Sequence, residues 1–209
     1  MKIKIVSDAV VKRLPRYRRY LNNLKNNGTE RISSGELANK MDLTASQIRQ
    51  DLNNFGGFGQ QGFGYSVDSL HDAISGIIGL DRKYSVVMIG CGRLGEAIAN
   101  FLSNYEPSFD IKAICDIRSD YHGKEVCGVN IMNREEFDKY LTENGADIAI
   151  LSIPPQQVVE VKDLLVKNGI KGIWNFSLTE IEAMKGVAVQ NMHLSDSLHS
   201  LVYYINHPE

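Results

Sequence analysis

Three glycines are the residues of this chain whose spacing is best suited to binding a phosphate. Gly90, Gly92 and Gly95 have G-x-G-x-x-G spacing, follow an apolar run at residues 86–89 and precede apolar residues at helical spacing. In a strand, turn and helix of this kind, the first glycine allows a tight turn, the second lets a pyrophosphate approach the backbone, and the third lets the helix pack on the strand. The free N–H groups at the N-terminus of the helix would bind the anion. The spacing predicts a dinucleotide site, although this motif alone has low specificity.

An acidic residue lies where a ribose-binding carboxylate is expected. Residues 109–115 have the pattern of a second strand, and Asp116 follows it, 21 residues after Gly95. A carboxylate at this position binds the adenosine ribose and repels a 2′-phosphate, which favours NAD(H) over NADP(H). Arg118 is a counter-signal, because a nearby arginine can accept that phosphate. The alternative interpretation of Asp116 is an ordinary turn residue at a strand end.

Alternating strand and helix patterns from residue 84 to residue 190 must position these groups. Such alternation predicts an α/β fold with a Rossmann-type, doubly wound parallel sheet. The carboxyl ends of its strands would bring together residues 90–95 (the glycine turn), Asp116, residues 152–155 and residues 175–177. The predicted strand ends carry no His or Lys, the proton donors that a hydride-transfer enzyme usually needs.

The three cysteines, Cys91, Cys115 and Cys127, form no C-x-x-C pair. An odd number without such a pair favours reduced cytosolic thiols, and hence a cytoplasmic protein, over a disulfide framework or a zinc site. Cys91 lies inside the glycine turn, where a helix N-terminus can activate a thiol. A small space-filling residue is the commoner explanation, and no metal site is predicted.

The first 67 residues have the charge of a nucleic-acid-binding module. They contain 11 Lys and Arg against 5 Asp and Glu, a net charge of +6, whereas residues 68–209 contain 12 against 20, a net charge of −8. Chance clustering of charge on solvated faces is the alternative.

A first helix is expected over residues 12–26, beginning close to Pro15 because proline is tolerated only in a first turn.

Two capping-box patterns, at residues 33–36 and 44–47, predict a pair of short helices joined by a tight turn. This is the helix-turn-helix pattern, whose second helix would expose residue types that bind base edges and phosphates, namely Ser46, Arg49, Gln50 and Asn53. The alternative is a three-helix bundle with a polar solvent face. Aromatic residues then alternate with glycines over residues 55–65, with Gln60 and Gln61 at the expected hairpin turn, which predicts a wing and hence a winged-helix domain.

Two further helices are predicted outside the sheet. Residues 68–81 form a connecting helix that ends at Gly79, and residues 194–205 carry an apolar stripe of leucines and isoleucine. This stripe would pack on a partner subunit or cap its own domain.

The expected domains are a winged helix with its linker helix at 1–80, a Rossmann domain at 81–190 and a dimerisation helix at 191–209. The sequence contains no run of about 18 apolar residues, so no membrane span is predicted. The apolar stretch at the N-terminus is too short for a signal peptide.

Five motifs, spread in order over nearly the whole chain, resemble those of the Rex family of bacterial redox-sensing repressors. They are Arg13-Leu14-Pro15, Arg49-x-Asp51-Leu52, the aromatic and glycine segment at 55–65, the glycine turn, and Gly172-Ile173-x-Asn175-Phe176. The resemblance implies a homodimer with domain-swapped C-terminal helices, whose winged helices bind a palindromic operator. Its Rossmann domains would sense the ratio of NADH to NAD+, with NADH releasing the DNA, so the chain would be a transcriptional repressor and not an enzyme.

The resemblance also implies roles for individual residues. Arg49 and Gln50 would face the major groove, with Gln60 and Gln61 at the wing tip near the minor groove. The candidate DNA-binding residues are Arg13, Arg16, Ser46, Gln47, Arg49, Gln50, Asn53, Gln60 and Gln61. Residues 90–95 would hold the pyrophosphate, Asp116 the adenosine ribose, and Pro154, Asn175 and Ser177 would lie near the nicotinamide end. The full set of candidate cofactor-binding residues is Gly90, Cys91, Gly92, Arg93, Leu94, Gly95, Asp116, Ile117, Arg118, Ser152, Ile153, Pro154, Asn175 and Ser177.

Several residues depart from the family pattern. Glutamines 50, 60 and 61 stand where many members have basic residues, which predicts a shallower salt dependence and a shifted operator preference, because Gln prefers adenine. Phe101 and His193 stand where many members have Tyr and an acid, which puts in doubt a switch built from arginine, tyrosine and an acid.

Two other functions are compatible with the sequence. The chain could be an NAD-dependent oxidoreductase with an accessory helical domain, which turnover would reveal. It could also be a regulator that binds another nucleotide ligand, such as coenzyme A, on the same fold.

Overall fold

A computed structural model describes residues 6–58 and 63–208, and the chain divides into two units between Arg82 and Lys83. The first unit holds the basic helical module and the second holds the sheet. Residues 191–208 belong to the second unit.

Helix α1 (Asp8–Asn26) begins about two turns before Pro15, so the expectation that it starts close to the proline is wrong. A proline in a helix leaves the carbonyl four residues earlier without its donor, here that of Val11. Val11 is half exposed, so water can satisfy this carbonyl and the helix continues through the proline. The buried stripe of the helix consists of Val10, Leu14, Tyr17 and Leu21.

Helices α2 (Ser34–Met41) and α3 (Ala45–Asn53) form the predicted helix-turn-helix. The Ser33 hydroxyl accepts a hydrogen bond from the Glu36 N–H and the Glu36 carboxylate accepts one from the Ser33 N–H, so the first capping box is complete. The Thr44 hydroxyl caps α3. These two helices share one apolar core with α1 and with the connecting helix α4 (Val67–Ile78), which ends at a left-handed glycine as predicted.

The second strand of the wing, β2 (Tyr65–Ser66), pairs antiparallel with β1 (Arg31–Ile32) and not with the segment before the expected turn. Residues 55–58 form no strand, and residues 59–62 lie outside the described residues. Gly64 permits the pairing, because its φ is +68° and a Cβ there would lie 2.6 Å from the carbonyl oxygen of Ile32. The wing therefore closes on a strand that precedes the helix-turn-helix.

Within residues 83–208, seven strands form one sheet in the order β5-β6-β4-β3-β7-β8-β9. Along the chain they are β3 (Tyr84–Ile89), β4 (Phe109–Cys115), β5 (Glu125–Val126), β6 (Val129–Met132), β7 (Ile148–Leu151), β8 (Gly172–Asn175) and β9 (Ala188–Asn191). All neighbours are parallel except β5 and β6, so the Rossmann-type sheet is confirmed.

Strands β5 and β6 form an antiparallel hairpin at one edge of the sheet. Strands β5 and β6 are joined by Cys127 and Gly128, which both have positive φ, 52° and 80°. Turns of this kind usually carry Asn or Asp at the first position, and the cysteine here conceals the turn from the sequence.

Helices cover both faces of the sheet. Helix α5 (Arg93–Tyr105) packs on one face, and α6 (Arg134–Asn144) and α7 (Pro155–Lys167) pack on the other. Strands covered on both faces are continuous apolar runs, as the sequence of β3 and β7 already indicates. The last helix, α8 (Leu194–Asn206), buries none of its residues.

Candidate dinucleotide site and nucleic-acid interface

The glycine turn joins β3 to α5, and two of its glycines are required by close approach. Gly90 has φ +93°, and a Cβ there would overlap the carbonyl group of Ser152. A Cβ on Gly95 would overlap the carbonyl oxygen of Gly90. Gly92 is the N-cap of α5, and no side chain caps the helix there, so its first N–H groups can bind an anion.

Ser152 fastens the end of β7 to the glycine turn. Its hydroxyl donates to the carbonyl oxygen of Gly90 at 2.8 Å, and its backbone N–H donates to that of Ile89 at 2.9 Å. The predicted site residues of these two loops are therefore brought together, with Ser152 as a brace.

Asp116 directly follows β4, and both oxygens of its carboxylate accept hydrogen bonds from within the protein. One oxygen accepts from the Cys91 N–H at 2.7 Å and from an Arg118 terminal nitrogen at 2.8 Å. The other accepts from the Arg118 N–H at 3.0 Å and from its Nε at 2.9 Å. Burial by itself raises the pKa of Asp116, but the hydrogen bonds from Arg118 and Cys91 outweigh it and lower the pKa to about 2.

Cys91 is packed inside the turn rather than presented to a ligand. Its side chain is buried, and burial, together with the negative charge of Asp116, raises the pKa of its thiol to about 11. The thiol is therefore uncharged at neutral pH, which matches the space-filling interpretation.

A cavity of about 320 Å³ opens beside the glycine turn, at the carboxyl ends of β3, β4 and β7. Eight predicted residues line it together with the polar side chains of Arg134 and Gln157, which sequence reasoning missed. Arg134 begins the helix after β6 and Gln157 lies in the first turn of α7, so both follow strand ends, a signal that was available. The predicted lining residues are Gly90, Gly92, Asp116, Ile117, Arg118, Ser152, Ile153 and Pro154.

Asn175 and Ser177 lie at the end of β8, where they brace a loop. The Asn175 side-chain amide donates to the Thr179 carbonyl at 2.7 Å and to the Asn191 side chain at 2.8 Å. Its oxygen accepts from the N–H and the hydroxyl of Ser177. Both residues are buried, and Asn191, which the sequence did not single out, completes the network.

The candidate DNA-binding side chains of α3 are largely solvent-accessible. Ser46, Arg49, Gln50 and Asn53 are exposed, and Gln47 is half-buried. Arg49 donates to the Ser34 hydroxyl at 3.0 Å, which ties the two helices of the motif. Of the DNA-binding candidates outside α3, Arg16 is exposed and donates to the Met41 carbonyl, and Gln60 and Gln61 lie outside the described residues. Of the cofactor-binding candidates, Arg93 and Leu94 on α5 are exposed.

Arg13 is committed to a buried ion pair that the sequence did not predict. Its Nε and a terminal nitrogen donate to the two oxygens of Asp51 at 2.7 and 2.8 Å, and the Tyr17 hydroxyl donates to the same carboxylate at 2.7 Å. Burial and the hydrogen bond to Asp51 raise the pKa of Tyr17. Asp51 lies on the buried stripe of α3, three residues after Ile48, so helical periodicity was the available signal.

Over residues 6–58 and 63–208, no three His, Cys, Asp or Glu side chains are grouped to hold a metal ion. Over the same residues, no helix combines the length and apolar character needed to cross a bilayer.

Two family models match the chain, one in each unit. The first is described as the N-terminus of a putative DNA-binding protein and matches residues 5–53. The second is described as a CoA binding domain and matches residues 81–179.

Full-length relatives carry the name "Redox-sensing transcriptional repressor Rex". The one from Thermoanaerobacter sp. (strain X514) is 48% identical over 205 residues, which are 98% of this chain and 92% of the relative. The one from Clostridioides difficile (strain 630) is 46% identical over 200 residues, 96% of this chain and 95% of the relative.

Crystal structures of RSP, described as a Rex-family repressor, have the same fold. The complex of RSP with β-NAD+ and operator DNA has a TM-score of 0.89 at 48% identity and covers 97% of this chain and 94% of that one. The complex with β-NADH has a TM-score of 0.89 at 45% identity and covers 97% and 95%.

Proposed function

Because the chain belongs to the Rex family of redox-sensing transcriptional repressors, we propose that it binds palindromic operator DNA and leaves it when NADH binds. One observation carries the proposal: a helix-turn-helix and a glycine turn with its cavity occur in a chain that matches named repressors over 98% of its length. The chain is a regulator that acts on DNA, and on that ground we assign it to the cytoplasm.

NADH and NAD+ fit the residues around the glycine turn. Gly90 and Gly95 leave no room for side chains, and the uncapped start of α5 suits the pyrophosphate. Asp116 and Arg118 lie at the adenosine ribose, and Pro154 lies toward the nicotinamide. Asn175 and Ser177 shape the nicotinamide end through the loop that they brace, since their polar atoms are already paired.

The exposed face of α3 enters the major groove of the operator. Arg49 and Gln50 read base edges there, and Arg16 contacts phosphate. Gln50 favours adenine, so the preferred operator differs from that of members with Lys at this position. Gln50→Lys adds one cation, and it should steepen the dependence of log affinity on log salt by about 0.9. An unchanged slope would remove Gln50 from the interface.

A homodimer accounts for the apolar surface of α8. Leu194, Leu198, Leu201 and Ile205 are between 53% and 67% exposed, although they form one stripe along the helix. A stripe of this size needs a partner in water, and a second copy of the chain supplies one in the swapped arrangement. Leu198→Glu combined with Leu201→Glu should give monomers by light scattering and abolish binding to a two-half-site operator.

The ligand acts by shifting a population of dimers. NADH binds the form that cannot hold DNA more tightly than the form that can, and its binding energy drives release. The cofactor is the signal and is not consumed. None of the described residues lining the cavity is His or Lys, the proton donors that hydride-transfer enzymes usually need.

A titration of NADH and NAD+ against a labelled palindromic duplex at fixed salt tests the proposal. NADH should release the duplex at concentrations at which NAD+ does not. Gly92→Ala should bind the duplex and lose the response, because the new methyl group stands where the pyrophosphate approaches. Gly76→Ala, whose added Cβ meets nothing within 4 Å, is the matched control. An operator affinity that does not change when NADH is added would refute the sensing function. Steady oxidation of NADH in the presence of a substrate would favour the oxidoreductase.

A second ligand is favoured by the match of residues 81–179 to a CoA binding domain. Coenzyme A carries an adenosine diphosphate and would use the same turn. Competition between coenzyme A and NADH, with operator release as the readout, separates the two. If coenzyme A releases the operator and NADH does not, coenzyme A is the signal in place of NADH.

A further inference from the structure

Arg118 places its guanidinium group between the ribose-binding carboxylate and the glycine turn. Two of its nitrogens donate to the two oxygens of Asp116 at 2.9 and 2.8 Å. The second of these nitrogens lies 3.6 Å from the position that a Cβ on Gly92 would occupy. The guanidinium carbon lies 3.7 Å from the centre of the Tyr121 ring, which supports it from the other side. A cation is thus held where an adenosine ribose meets the pyrophosphate turn.

This pair alters what the carboxylate can recognise. An ionised carboxylate has about four acceptor positions, and Asp116 already accepts four hydrogen bonds, two of them from the Arg118 side chain. The hydroxyls of an unphosphorylated ribose can therefore donate to Asp116 only after the Arg118 fork moves away. The Arg118 side chain is 43% exposed, so solvent already reaches part of it.

The same pair removes the repulsion that excludes a phosphorylated ribose. A lone aspartate here repels a 2′-phosphate, but Asp116 and Arg118 together carry no net charge. A guanidinium group also binds phosphate oxygens in a fork geometry. Lys124, whose ammonium lies 4.6 Å from the centre of the same Tyr121 ring, adds a second cation near this point.

We propose that Arg118 is a specificity-determining residue that lets the site accept a phosphate monoester on the adenosine ribose. The inference rests on the proposed function, since it concerns the same dinucleotide site. The phosphate is the 2′-phosphate of NADPH or the 3′-phosphate of coenzyme A. These share the chemistry of a phosphate monoester on the ribose.

Calorimetric titration of NADH, NADPH and coenzyme A into the full chain and two variants tests this role. Arg118→Gln removes the fork. Arg134→Gln is the matched control, because Arg134 lines the same cavity but is paired with Asp138 at 2.7 Å and does not touch Asp116. Both variants lose one positive charge, so a difference between them reports the position of Arg118 and not the net charge.

Arg118→Gln should lower the affinity for NADPH, for coenzyme A or for both by at least about tenfold relative to the affinity for NADH. This factor corresponds to about 1.4 kcal/mol of binding free energy. NADH itself should bind equally well or more tightly, because the guanidinium group no longer competes for Asp116. Arg134→Gln should change all three affinities by similar factors. The ligand that weakens identifies the source of the phosphate.

Two results would overturn the inference alone. One is an Arg118→Gln variant in which all three ligands change by the same factor or none changes. The other is an Arg134→Gln variant with the same selective loss. A wild-type chain that binds neither NADH nor NADPH would instead overturn the proposed function, and this inference with it.

Discussion

Replacing Arg13 tests whether its ion pair with Asp51 holds α3 in place. Arg13→Gln removes the two guanidinium nitrogens that donate to the carboxylate at 2.7 and 2.8 Å. The Asp51 side chain is only 4% exposed, so water cannot replace them. The remaining donor is the Tyr17 hydroxyl at 2.7 Å. The variant therefore leaves a buried carboxylate with one hydrogen bond in place of three.

The cost follows from this geometry. Removing one partner of a buried ion pair costs about 3–5 kcal/mol, mostly because a charge is left unpaired. The Arg13 side chain is 18% exposed and Tyr17 still donates, so we expect the lower end, about 3 kcal/mol. A unit of 82 residues has a free energy of unfolding of about 4–12 kcal/mol. The substitution removes a quarter or more of that stability.

Hydrogen exchange of the α3 amides measures the change where it occurs. Lys12→Gln is the matched control, because it also removes one cation from α1. The ion pair that it breaks, between Lys12 and Asp8 at 2.8 Å, is largely exposed. Such a pair contributes less than about 0.5 kcal/mol. Adding Asp51→Asn to Arg13→Gln removes the unpaired charge and should restore part of the lost protection.

The reasoning is refuted if Arg13→Gln destabilises α3 no more than Lys12→Gln does. Operator binding at several salt concentrations separates the ion pair from the direct DNA contact that the family resemblance implies for Arg13. Loss of a phosphate contact flattens the slope of log affinity against log salt by about 0.9. Loss of helix positioning weakens binding with the slope unchanged.

Three further predictions concern the second unit. Gly95→Ala should destabilise it by about 1–3 kcal/mol in thermal unfolding, because the new Cβ overlaps a carbonyl oxygen, and a melting temperature equal to that of Gly92→Ala would contradict this. The hydrogen bond from Lys171, and after it those from Ser85, lower the pKa of the Asp147 carboxyl to about 2. The ionised carboxylate therefore stabilises the fold above its unfolded pKa of about 3.9. That stability is lost as pH falls from about 4 to about 2, so acid unfolding followed by Trp174 fluorescence should be shallower in Asp147→Asn than in the wild type. A thiol reagent at pH 8 should modify the exposed Cys127 rapidly and the buried Cys91, whose thiol has a raised pKa, only after unfolding; equal rates would contradict their difference in burial.

Much of the candidate site could be predicted because its signals are local. Capping residues and apolar periodicity act within one or two helical turns, so α2 and α3 begin where their caps predict. The cavity also draws on Arg134 and Gln157, which reach it from helices that follow other strands. Both follow strand ends, which the sequence shows, but the strand order decides which strand ends border one cavity.

The sequence by itself determined the two modules, the types of most elements and the glycine turn, since these follow from spacing along the chain. Only the tertiary structure decided which partners the polar groups take. Asp51 binds an arginine 38 positions away, β2 pairs with a strand that precedes the helix-turn-helix, and the Asp116 carboxylate is closed by Arg118 and a backbone N–H 25 positions earlier. Such bonds form only when packing removes water from both partners, and the cores that remove it are assembled from many elements at once.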